Sequence, residues 1–117
     1  MYDVRFYVDK RGREPVAEYM KDLAKRKDKD SKIRLKKIRE CLQALQEKGT
    51  FAGEPYMKHI EGEIWELRPA SDRIFFAAWI GNCFVLLHYF VKKTQKTPRQ
   101  EIEKAKRELE DLREREH

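Results

Sequence analysis

The cations that could do chemistry in this chain stand at the ends of its most apolar segments. Arg68 closes an alternating segment, Arg73 opens the next one, and Lys92-Lys93 follows the longest β-prone stretch, with Lys96 soon after. Lys58-His59 lies upstream, and Glu66 shares the face of Arg68, opposite Trp65 and Leu67. If these segments pair as a meander, one carboxylate and several cations meet on one face. Such a face could bind RNA and act on a phosphodiester. In metal-free cleavage the ribose 2′-hydroxyl attacks its own phosphate; a base must take the 2′ proton, cations must stabilise the phosphorane, and an acid must protonate the leaving 5′ oxygen. A lysine whose pKa is lowered by neighbouring cations can serve as that base.

The same residues have plainer roles open to them. Lysines flanking an apolar strand are commonly solvated ends, and Arg68 and Arg73 could pair with Glu66 and Asp72 as surface ion pairs worth little. His88, between Leu87 and Tyr89, reads as a hydrogen-bonded core histidine. Other chemistries find less support. His59, His88 and His117 show no metal-ligand spacing with one another or with Cys41 and Cys83. Five glycines form no phosphate-cradling loop, and Ser31 and Ser71 lack a nucleophile-elbow context. Glu61, Glu63, Glu66 and Asp72 offer a weak version of the carboxylate cluster that a metal-dependent nuclease uses. Neither a metal nor a cofactor is expected.

The elements that must position these residues are legible in the periodicity. Val4, Phe6 and Val8 alternate with Arg5, Tyr7 and Asp9, predicting a strand. Pro15 suits a first helical turn, and Val16, Tyr19, Met20, Leu23 and Ala24 follow at helical spacing. Leu35, Ile38, Cys41, Leu42 and Leu45 mark the buried stripe of a second helix that stops at Gly49. Residues 56–60 predict a short edge strand and Glu61-Gly62 a tight turn. Residues 63–68 alternate, and Pro69-Ala70-Ser71-Asp72 is a hairpin loop. Residues 73–80 and 83–91, joined through Gly81-Asn82, read as central strands covered on both faces. Thr97 as N-cap and Pro98 at the first position open a last helix, with Ile102, Ala105, Leu109 and Leu112 as its seam and Glu103–Arg107 and Asp111–Arg115 as favourable pairs. The expectation is a β-α-α-β-β-β-β-α chain, an α+β fold with a mostly antiparallel sheet flanked by a helical hairpin and a C-terminal helix.

Composition bounds the partners. At 117 residues the chain is one domain's length, residues 1–117. Aromatic residues make up 11%, which excludes a disordered tail. The longest apolar run, residues 74–80, is too short to cross a membrane, and the N-terminus lacks the pattern of a secretory signal. Two cysteines far apart in sequence suggest reduced thiols in the cytoplasm. Eleven basic against five acidic residues over 21–48 carry a surplus equal to the whole net charge of +6. Lys36 and Lys37 fall in that patch, for which ribosomal RNA is a natural partner, since phosphate attraction needs no sequence reading.

Gly62-Glu63-Ile64-Trp65-Glu66-Leu67-Arg68-Pro69, Asp72-Arg73-Ile74-Phe75-Phe76 and the segment Leu86-Leu87-His88-Tyr89-Phe90-Val91-Lys92-Lys93-Thr94-Gln95-Lys96-Thr97-Pro98 resemble the RelE/HigB-like toxins of bacterial type II toxin–antitoxin systems, above all the phage-derived HigB branch. The resemblance covers nearly the whole chain. It implies a cytoplasmic, metal-independent endoribonuclease that cuts mRNA in the ribosomal A site, and a cognate helix-turn-helix antitoxin that neutralises it, the two forming a heterotetramer. By position, Arg68 matches the strand arginine that stabilises the scissile phosphate, and Arg73 one with a structural, RNA-positioning or chemical role. Lys92 and Lys93 fall where the family places basic active-site residues; Lys58 and His59 fall where some members carry a catalytic lysine or histidine. Lys96, Lys36 and Lys37 join Arg73 as RNA-binding candidates. Many RelE members carry a tyrosine near the C-terminus that stacks on or protonates the substrate. This chain has none after Phe90, which leaves His59, Tyr56 and Glu66 as candidates. Two other readings stand beside this one: a non-nuclease toxin of the same fold that inhibits DNA gyrase, and a basic nucleic-acid-binding module.

Overall fold

The structure, a computed structural model, describes residues 1–116; His117 lies outside the described residues. Eight principal elements follow in the order β1 (Asp3–Phe6), α1 (Pro15–Lys25), α2 (Lys29–Lys48), β2 (Met57–Glu61), β3 (Ile64–Leu67), β4 (Asp72–Trp79), β5 (Cys83–Val91) and α3 (Arg99–Arg115), with a short 3-10 turn, Gly49–Ala52, after α2. This is the expected order of an α+β chain. The strands form one sheet, β1-β5-β4-β3-β2, in which only the β1–β5 pair is parallel.

Alternation along the strands splits the apolar side chains between two cores. On one face, Ile74, Phe76, Phe84 and Leu86 pack against Val16, Tyr19 and Leu23 of α1 and Leu35, Ile38, Cys41 and Leu45 of α2. On the other, Phe75, Ala77, Val85 and Leu87 pack against the α3 seam of Ile102, Ala105, Leu109 and Leu112. Each helix thus buries one stripe against the sheet, the arrangement that stabilises an amphipathic helix too short to persist alone. Asp28 caps α2, its carboxylate accepting the Ser31 amide. Gly49 ends α2 at φ 60°, where a Cβ would also lie 2.9 Å from the Tyr2 ring.

Local departures from the expected pattern have identifiable causes. Val8 is exposed because β1 ends at Phe6, and Tyr7 is buried instead, its hydroxyl donating to Asp111 at 2.6 Å. Ala24 is exposed, and Cys83 is only half-buried. Thr97 does not cap α3: Pro98 holds that place without a side-chain cap, and the Thr97 hydroxyl donates to Glu66. Glu103 pairs with Arg99 rather than Arg107, whereas Asp111–Arg115 forms as expected. Finally, Ile74 pairs with Tyr89 and Phe76 with Leu86, so Phe75 alone opposes Leu87 and His88. This bulge lets two successive residues face α3. His88 there contacts Glu108 through Nδ1 at 2.5 Å and Glu101 through Nε2 at 3.0 Å. It is the expected hydrogen-bonded core histidine.

Candidate functional site

Antiparallel pairing brings the ends of β3 and β5 and the starts of β2 and β4 to one end of the sheet, and with them the basic residues singled out by sequence. Glu66 is the centre. It stands in register with Lys58 on β2 and Phe75 on β4, and it is only 1% exposed. Its Oε1 lies 3.7 Å from Nε of both Arg68 and Arg73, and its Oε2 accepts the Thr97 hydroxyl at 3.4 Å. A carboxylate this deep needs cations around it to stay charged, and the cations need it to approach one another.

The two arginines differ in freedom. Arg73 is pinned: its NH1 group donates to the carbonyls of Ala70 at 2.7 Å and Asp72 at 2.8 Å, which ties the guanidinium to the loop between β3 and β4. Burial, augmented by Arg68, lowers its pKa from the usual arginine value, with Glu66 opposing. Arg68 is more open and donates to the exposed Glu54 at 2.9 Å, a contact that an incoming anion can replace. Lys92 anchors its backbone by donating its amide to Ser71 at 2.9 Å. Its ammonium is held below the usual lysine pKa, first by desolvation and then by Arg73, against the pull of Glu66, with Arg68 and Lys58 adding to the repulsion. A cleft of about 500 Å³ opens here, lined by Arg68, Arg73, Lys92 and Lys93 together with Ser71, Thr94 and Gln95.

Arg68, Arg73, Lys92, Lys93 and Glu66 are therefore brought together, with Lys58 in register beside Glu66. His59 is not. It sits on the Trp65 face, its ring edge-on to that indole and its Nε2 2.7 Å from the Gly62 carbonyl, because alternation sends neighbours on β2 to opposite faces. Lys36 is exposed on α2, away from the cleft. Lys37, paired with Glu40 at 3.7 Å, reaches a second cavity of about 240 Å³ that Arg68 and Tyr56 also line. Lys96 is exposed in the loop before α3, its carbonyl accepting the Thr94 hydroxyl. Sequence reasoning missed Ser71, Thr94 and Gln95, and it assigned Thr97 to a cap; only the hairpin loop and the Lys92–Pro98 segment hinted at them. Among the described residues no group of three or more His, Cys, Asp or Glu side chains is placed to hold a metal ion. Among the described residues, no helix is long and apolar enough to cross a membrane.

The sequence profile described as "Phage derived protein Gp49-like" matches residues 18–110, from within α1 to within α3. The chain belongs to the phage-derived Gp49-like family. That family is associated with toxin–antitoxin systems. Every residue of the Glu66 cluster lies inside the matched segment of this Gp49-like chain, and β1 lies outside it. No curated protein matches the chain.

Proposed function

We propose that this Gp49-like protein is the toxin of a type II toxin–antitoxin pair of the RelE/HigB kind, a ribosome-dependent mRNA endoribonuclease that works without a metal ion. The observation that carries the reading is the buried Glu66 carboxylate with Arg68 and Arg73 equidistant from one oxygen and Lys92 at the rim of the same cleft. It supports a phosphate site with a ready base. The scissile phosphate displaces Glu54 from Arg68, which then stabilises the equatorial oxygens as charge develops. Lys92, in its neutral form, takes the 2′ proton; the 2′ oxygen bonds to phosphorus and the bond to the 5′ oxygen breaks, leaving a 2′,3′-cyclic phosphate and a 5′-hydroxyl once that oxygen is protonated. Lys93 and Lys58 add positive potential. Glu66 is too buried to meet substrate and acts as the positioning counter-ion of the cluster. Of the acid or stacking candidates, Tyr56 is the one both partly exposed and beside Arg68.

The basic face of α2, including Lys36 and Lys37, serves ribosome docking in this reading, and a helix-turn-helix antitoxin neutralises the toxin as a heterotetramer. Primer extension on a reporter mRNA in a purified translation system tests it. Breaks at A-site positions that appear only when ribosomes are present are the expected pattern, and the same RNA without ribosomes, with or without EDTA, should stay intact. Intact mRNA alongside folded, growth-inhibiting protein overturns the nuclease reading and directs attention to gyrase.

A further inference from the structure

The pairing of Glu103 with Arg99 leaves Arg107 on the other flank of α3, where it faces the turn that follows β1. A cavity of about 300 Å³ lies between that turn and the middle of the helix. Lys104 and Arg107 line it from α3, Lys10 and Arg11 from the turn. None of these four cations forms an ion pair with another described residue, although α3 otherwise pairs its basic residues freely.

The carboxylates along the same cavity are already engaged by the fold. Asp9 accepts the amides of Arg11 and Arg13 at 2.8 and 2.9 Å and so closes the turn. Glu108 is taken by His88 at 2.5 Å, and Asp111 by the Tyr7 hydroxyl at 2.6 Å and Arg115 at 2.9 Å. The Tyr7 hydroxyl is the main cause that holds Asp111 below the usual carboxylate range, with Lys10 contributing across the groove. What remains unsatisfied is therefore positive, arrayed on two opposing walls. Parallel pairing of β1 with β5 carries the turn toward the end of the sheet where Lys92 stands. Arg11 shares a neighbouring cavity with Tyr89 near the end of β5, three residues before Lys92, which is about 10 Å along the chain.

We propose that this groove is a phosphate-binding site separate from the Glu66 cluster, and that its ligand is a phosphodiester of single-stranded nucleic acid lying across the end of the sheet. The choice of nucleic acid rests on the RNA-directed reading of the cluster; the phosphate chemistry does not.

The test uses the full-length protein and two probes: inorganic phosphate, and a single-stranded oligodeoxynucleotide that lacks the 2′-hydroxyl needed for cleavage. Amide NMR shifts of Lys10, Arg11, Lys104 and Arg107 report on the groove. Oligonucleotide affinity is measured against salt for the Lys104→Gln/Arg107→Gln double variant and for Arg5→Gln/Arg113→Gln, which removes the same charge from half-exposed ion pairs with Glu116 and Glu63, outside the groove and the basic patch of residues 21–48. Both probes are expected to shift the groove amides, and the log–log salt slope is expected to fall by about one per lost contact, roughly two in the groove variant, but not in the Arg5/Arg113 variant. Groove shifts with phosphate but equal salt slopes in the two variants would overturn nucleic acid as the ligand and assign the site to a free phosphate compound. No groove shift with either probe overturns the site itself. Since neither probe is cleaved, a protein that binds here yet spares mRNA would defeat the proposed function and leave this site standing.

Discussion

Nε of Arg73 lies 3.7 Å from Oε1 of Glu66, and the guanidinium nitrogen has no hydrogen-bond partner although it is buried. The ion pair thus works through charge rather than through a direct hydrogen bond, with Glu66 compensating Arg68 as well. Removing one partner of a buried pair leaves the other charge uncompensated, at a cost of about 3–5 kcal/mol. Glu66→Gln is expected to fall near the lower end, about 3 kcal/mol, because the separation is long and Arg73 retains some solvent contact. Urea denaturation at neutral pH measures it; a loss under about 1 kcal/mol would contradict the role given to this carboxylate.

Arg68→Ala separates chemistry from stability. Losing its bridge to the largely exposed Glu54 should cost less than about 1 kcal/mol, and losing one of the two arginines beside Glu66 adds to that while Arg73 still compensates the carboxylate. If Arg68 stabilises the phosphorane, cleavage should fall by about 10²–10³-fold, as when one preorganised donor is removed from a developing oxyanion. A folded variant with parental cleavage would remove Arg68 from the mechanism.

Lys92 sets a pH dependence. Its folded-state pKa lies below the usual lysine value of 10.5, so in the window between the two the unfolded chain binds more protons than the native one. The contribution of Lys92 to stability therefore rises with pH through that window, the penalty for its partly desolvated charge being fully present below the folded pKa. The neutral base also becomes more abundant, so single-turnover cleavage should climb tenfold per pH unit until Lys92 titrates. Lys92→Arg, which stays protonated, should flatten that rise; an unchanged profile would assign the base elsewhere.

His88 joins α3 to the sheet. With carboxylates at both ring nitrogens, the imidazole must donate from both or one carboxyl must donate back to it. His88→Ala leaves Glu101 and Glu108 facing each other across a gap under α3, and an expected loss of about 3 kcal/mol follows from the unpaired buried charge. Hydrogen exchange should show α3 amides losing protection before those of β4. Uniform loss across the molecule would mean that the network is not a local clamp.

Periodicity alone determined much of this molecule. The alternation of residues 63–68 placed Glu66 and Arg68 on one face, and the apolar run of residues 83–91 coincides with β5. The helical stripes of α1, α2 and α3 follow from spacing in the same way, since side-chain direction along one element depends only on its own geometry. Tertiary structure decided what depends on pairing between elements. The β2–β3 register put Lys58 rather than His59 beside Glu66, and the Leu87–His88 bulge shifted the phase of β5 so that His88 meets α3. Thr97 has the signature of a cap, yet its hydroxyl is drawn to a carboxylate thirty-one residues away. Local pattern specifies which residues share a face; it carries no record of which face, strand or helix stands opposite, because burial and long-range hydrogen bonds settle that only when the chain closes on itself.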